Sequence, residues 1–120
     1  KKALKDIGLL HAIDLMPSEL SGGMRKRIGL ARTLILNPEI ILYDEPTTGL
    51  DPITSKEISN LMIKISKRYN TSSMIISHDL GCIRLTADRT VLLMEGINYA
   101  EGTYEELEKS NDERVKTFFS

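Results

Sequence analysis

Ile40-Ile41-Leu42-Tyr43-Asp44-Glu45 is a continuous apolar run that ends in two carboxylates, and its reading decides the fold. Asn37-Pro38 ends whatever precedes it, because the residue before a proline is pushed out of the helical region. Bounded in this way, Ile40 to Tyr43 reads as a short central strand of a parallel sheet, buried on both faces. Asp44 and Glu45 then stand at the rim of that sheet. Successive side chains of a strand point to opposite sides, so the two carboxylates are free to hold different tasks, one at a divalent metal and the other at a water. In isolation, a strand-end pair of carboxylates more often caps a neighbouring helix.

Working outward toward the C-terminus, Asp51-Pro52 has the form of a helix start, an N-cap acceptor followed by proline at the first helical position. Ile58, Leu61, Met62, Ile65 and Tyr69 follow at helical spacing and define one apolar face. Met74 to Ser77 reads as a second buried strand, and Leu80 to Asp88 as a short helix with Leu80, Ile83 and Ala87 inward. Strand, helix, strand, helix implies a parallel sheet and an α/β fold. Val91 to Met94, a Glu95-Gly96 turn and Ile97 to Ala100 form a hairpin on the flank of the sheet. Thr103 and Glu106 have capping-box spacing and start a short helix, and the segment from Asn111 to Ser120 is a terminal helix docking elsewhere. Toward the N-terminus, Gly22 to Leu36 is a helix with Met24, Ile28, Ala31 and Ile35 on one side and Arg25, Lys26 and Arg32 solvated. Lys1 to Leu10 has helical composition and runs into a loop at Met16-Pro17-Ser18.

The 120 residues have the length of one modest domain, and 41% hydrophobic with 28% charged residues is ordinary globular composition. A formal net charge of −1 lacks the basic footprint of a nucleic-acid binder, so no nucleic-acid partner is expected. The single cysteine, Cys82, rules out an intramolecular disulfide and reads as helix packing. No apolar stretch approaches the roughly 20 residues that span a bilayer. The chain opens within what reads as a helical element, so the absence of a signal peptide carries no information about targeting.

Three further features bear on chemistry. His78 follows the second strand, which delivers its imidazole to the rim where Glu45 stands; a lone histidine is otherwise a structural or surface residue, as His11 is taken to be. Ser21-Gly22-Gly23 opens a helix, so a hydroxyl, unhindered N–H groups and the positive helix end converge on one point suited to a phosphate, although such a glycine pair also serves as a plain turn. Ser77-His78-Asp79 is not a hydrolase triad, because consecutive residues do not reach the nucleophile–base–orienter geometry. Paired carboxylates, a histidine and a phosphate-suited helix start are the parts of a phosphoryl-transfer site, but no GxxxxGK[ST] phosphate cradle is present in the chain.

In this order and spacing the pieces resemble the ATPase subunit of ATP-binding-cassette (ABC) transporters. Leu20-Ser21-Gly22-Gly23-Met24 looks like the signature motif, Ile40 to Glu45 like the Walker B strand, Gly49-Leu50-Asp51 like the D-loop and His78 like the switch histidine. The resemblance implies the C-terminal portion of a P-loop NTPase core, with mostly parallel strands, flanking helices and a terminal β-hairpin. Residues 1–36 would be the end of a helical subdomain with the signature helix, 37–109 the C-terminal part of the ATPase core and 110–120 a terminal helix or tail. It further implies ATP and Mg²⁺ as cofactors. Asp44 would hold the metal, Glu45 would be the general base, His78 would contact the γ-phosphate, and Leu20, Ser21, Gly22, Gly23, Met24 and Asp51 would bind nucleotide, the signature residues in trans across a dimer of two ATPase subunits.

The family's signature usually ends in glutamine, where Met24 stands here. That ending, with Arg25-Lys26-Arg27 behind it and Asp51-Pro52-Ile53-Thr54 after the D-loop, resembles the phospholipid-trafficking branch. It implies lipid transport, a membrane permease and an Mce-domain lipid-binding protein as partners, and a peripheral position on the cytoplasmic face of the inner membrane. Without a P-loop, this stretch alone is expected to neither bind nor hydrolyse ATP. Each charge-assisted hydrogen bond is worth roughly 1.5–3 kcal/mol, so losing several matches the roughly 4 kcal/mol between micromolar and millimolar affinity. Two other readings share these residues: a non-transport ABC ATPase of translation or DNA repair, and a non-enzymatic interaction module.

Overall fold

The computed structural model describes residues 22–120, so the expected first helix, the loop at Met16-Pro17-Ser18, His11, Leu20 and Ser21 lie outside the described residues. The elements run α1 (Gly22–Leu34), β1 (Ile40–Asp44), α2 (Pro52–Tyr69), β2 (Ser72–Ile76), α3 (Leu80–Thr86), β3 (Thr90–Met94), β4 (Ile97–Gly102), α4 (Tyr104–Glu108) and α5 (Glu113–Phe119). β1 and β2 pair in parallel, Ile40 opposite Ser72 through Asp44 opposite Ile76, with α2 as the crossover that a parallel pair requires. The two strands therefore end side by side, which brings the loops that follow them to one rim.

The helix boundaries follow from their caps. Asp51 accepts from the Thr54 N–H and starts α2 with Pro52 at its first position. Asn70 ends it in the left-handed conformation (φ 51°), a role that asparagine fills at low steric cost. Ile58, Met62 and Ile65 are buried along one face of α2, as their spacing predicts. In α1 the buried residues are Leu30, Ala31 and Leu34, whereas Ile35, expected inside, is 69% exposed because the helix ends at Leu34 and the chain turns there.

Leu30, Ala31, Leu34, Ile41 and Ile65 form a core between α1, β1 and α2. This core covers one face of the strands only. On the other face Ile40, Leu42, Met74 and Ile76 are 59–71% exposed, so the expectation of strands buried on both faces is corrected. The reason is alternation: Ile41 points to the helices, Ile40 and Leu42 point away, and no described element lies over them. The second strand also begins at Ser72 and stops at Ile76, rather than running from Met74 to Ser77.

β3 and β4 are the expected hairpin, turning through Glu95 (φ 53°) and Gly96 (φ 78°), two positive-φ residues that match the right-handed twist of the strands. Leu92, Tyr104, Leu107, Val115 and Phe119 make a second core under it, with the Tyr104 and Phe119 rings edge to face at 5.3 Å. The terminal helix α5 thus docks on this chain's own hairpin and α4, not elsewhere. Cys82 is buried and free, the packing role expected of it. Among the described residues no helix is long and apolar enough to cross a membrane.

Candidate functional site

β1 ends at Asp44, and the next residue, Glu45, turns the chain in the left-handed region (φ 50°), where a non-glycine residue is uncommon. Its N–H donates to the Ile76 carbonyl at 2.7 Å, which ties the turn to the end of β2. From there the Glu45 carboxylate meets His78, two residues beyond β2, with Nδ1 3.0 Å from Oε1. The Thr48 hydroxyl donates to the other oxygen, Oε2, at 3.2 Å. The hydrogen bond with His78 is the largest influence lowering the Glu45 pKa below 4.5, and the reciprocal bond raises that of His78 above 6.5. The Glu45 side chain is 34% exposed and that of His78 77%, so the pair faces solvent at the rim.

Asp44, expected at the metal, is exposed at the strand end and lines a cleft of about 190 Å³ that Lys26, Arg27 and Tyr43 also line. Among the described residues no three His, Cys, Asp or Glu side chains converge on a metal position. A single exposed carboxylate still fits Mg²⁺, which typically takes one or two carboxylates and completes its shell with phosphate oxygens and water. Tyr43, next to Asp44, packs against the first core. Burial pushes its hydroxyl up to about 12, and that hydroxyl has no hydrogen-bond partner among the described residues.

The remaining expected site residues are placed differently. Both Asp51 oxygens engage Thr54, from its hydroxyl at 2.6 Å and its N–H at 3.1 Å, so the carboxylate is occupied as a helix cap. A Cβ on Gly23 would lie 2.8 Å from Thr54 Cγ2, and one on Gly22 3.4 Å from Leu50 Cδ2. Gly23 therefore sets the close approach of α1 to the start of α2, whereas at Gly22 a Cβ would make only an ordinary contact, whatever else their N–H groups serve. Met24 packs against the first core. Lys26, expected to be solvated, reaches the Glu45 carbonyl at 3.3 Å, and Arg27 pairs with Glu57 at 3.3 Å.

Thr47 and Asp79 escaped the sequence reading as a pair. Thr47 is 4% exposed, and its hydroxyl donates to Asp79 Oδ2 at 2.7 Å. The other Asp79 oxygen caps α3 through the Cys82 N–H at 3.2 Å. An aspartate just before Leu80 is a legible N-cap. Its second bond, to a residue 32 positions away, leaves no mark in local pattern.

Two parallel strands joined by a crossover helix, with Asp44 and Glu45 at the carboxyl end of the first and His78 beyond the second, form an α/β unit. The ABC transporter family model matches residues 1–48, and the relatives and solved structures this chain resembles are ATP-binding subunits of ABC transporters. It is 43% identical to the intermembrane phospholipid transport system ATP-binding protein MlaF of Haemophilus influenzae, over 96% of this chain and 44% of that protein. It is 38% identical to the glycine betaine/proline betaine transport system ATP-binding protein ProV of Salmonella typhimurium, over 98% of this chain and 30% of that protein. The solved ADP conformation of an ATP-binding cassette of an ABC transporter superposes with a TM-score of 0.87 at 30% identity, over 98% of this chain and 47% of that one. The chain thus spans less than half the length of the proteins it matches.

Proposed function

We propose that the complete subunit to which this chain corresponds binds and hydrolyses ATP to drive an ABC transporter, with Glu45 as the base that orients the attacking water and His78 as the contact to the γ-phosphate. The observation that carries this reading is the 3.0 Å meeting of Glu45 and His78 from the ends of two adjacent parallel strands. The His78 contact keeps the Glu45 carboxylate ionised, so it can accept a hydrogen bond from the attacking water and orient it, while the lowered pKa makes it a weaker proton acceptor. Asp44 would hold Mg²⁺, which supplies charge neutralisation on the phosphate oxygens. Gly22, Gly23 and Met24, with Leu20 and Ser21, would present the signature face to nucleotide on a second ATPase subunit.

The transported substrate we propose is phospholipid, supported by the 43% identity to a phospholipid-transport relative and by Met24 at the end of the signature. A membrane permease and an Mce-domain protein would be partners, and the subunit would sit on the cytoplasmic face of the inner membrane. A relative of betaine transport at 38% identity supports the coarser reading of an ABC importer or exporter equally well.

The test is Glu45→Gln in the complete subunit. Its hydrolysis rate is expected to fall about 10²- to 10⁴-fold while ATP binding is retained, trapping closed dimers in gel filtration. Hydrolysis at the parental rate would remove Glu45 as the base.

A further inference from the structure

We infer that Thr47 and Asp79 are positioning residues that set the distance between Glu45 and His78, a reading that rests on the catalytic roles proposed for those two. The loops after β1 and β2 are joined by two cross-links running in the same sense: Glu45 to His78 at 3.0 Å and, two residues and one residue further on, Thr47 to Asp79 at 2.7 Å. They differ in environment. The first is solvent-exposed, with His78 77% accessible, and an exposed pair does not hold a fixed geometry by its own attraction. The second is sheltered, with Thr47 4% exposed, where a hydrogen bond is less easily exchanged for water.

Asp79 is itself held on several sides. Its N–H donates to Ser77 Oγ at 3.0 Å, its Oδ1 caps Cys82, and its carbonyl accepts the Ile83 N–H at 3.1 Å. It is therefore a rigid post at the start of α3. On the other loop, the Thr47 carbonyl accepts the Leu50 N–H at 3.2 Å, and Glu45 is anchored to Ile76. With Thr47 locked to that post, the left-handed turn at Glu45 is over-determined from both sides, as such a backbone conformation requires. Loss of the hydroxyl would free the first loop to drift relative to the second, and a drift of about 1 Å between reacting groups costs up to about 10²-fold in rate.

The experiment uses the complete subunit with Thr47→Val, which keeps the shape and removes the hydroxyl, and Thr47→Ser, which restores it. The valine variant is expected to lose about 10- to 100-fold in kcat with KM for ATP within twofold, and the serine variant to recover most of that loss. The ¹⁵N shifts of the His78 ring supply a second readout: the tautomer set by the Glu45 contact is expected to be lost with valine and kept with serine. Unchanged kcat together with an unchanged His78 ring in the valine variant would overturn the inference, as would failure of serine to rescue. Should Glu45→Gln retain the parental rate while Thr47→Val still alters the His78 ring, the positioning stands and the base assignment falls.

Discussion

Within the Glu45–His78 contact each group holds the other in its charged form, which gives the pair a defined pH window. Glu45 has its pKa lowered below 4.5, so its share of the stabilisation is present above 4.5 and is lost as pH falls through the lowered value. His78 has its pKa raised above 6.5, chiefly by the hydrogen bond and charge of Glu45, with Asp79 adding a smaller push. Its share is fully present below 6.5 and is lost as pH rises through the raised value. The contact is therefore strongest between about 4.5 and 6.5 and fades on both sides. An NMR titration of the His78 ring is expected to move back toward 6.5 on Glu45→Gln; a midpoint unmoved by that substitution would show that Glu45 is not its partner.

At the scale of elements, α1 and α2 approach each other because Gly23 has no side chain. A Cβ there would stand 2.8 Å from Thr54 Cγ2, and Thr54 is held in turn by two bonds to the Asp51 cap. Gly23→Ala is therefore expected to cost about 1–3 kcal/mol through forced displacement of the start of α2, despite the better intrinsic helix propensity of alanine. Chemical denaturation checks this. A neutral or stabilising result would mean that the junction has slack and that the glycine is kept for another reason, such as its N–H groups.

At the largest scale, the decisive feature is a sheet face that no described element covers. Ile40, Leu42, Met74 and Ile76 lie together across the paired strands, all more than half exposed, and monomeric proteins rarely leave such contiguous apolar patches in water. The 120-residue chain is expected to self-associate with rising concentration in sedimentation velocity, and Leu42→Lys with Met74→Lys is expected to suppress this. A monomer at all concentrations would mean that the face is covered by residues outside those described.

The amino-acid sequence by itself determined what depends on neighbours along the chain. Asp51-Pro52, Asp79, Thr103 and Asp112 cap helices because a side-chain oxygen reaches an N–H two or three residues on, and Glu95-Gly96 turns a hairpin because two positive-φ residues fit there. The placement of Glu45 and His78 on one rim was likewise legible, since parallel strands joined by a helix end on the same side. Other features required the tertiary structure: which strand face is covered, the reach of Lys26 to the Glu45 carbonyl, the docking of α5 on the hairpin, and the Thr47–Asp79 cross-link. Each of these is a contact between residues far apart in sequence. Periodicity shows that a residue can be buried, but only the packed neighbours decide whether anything lies over it.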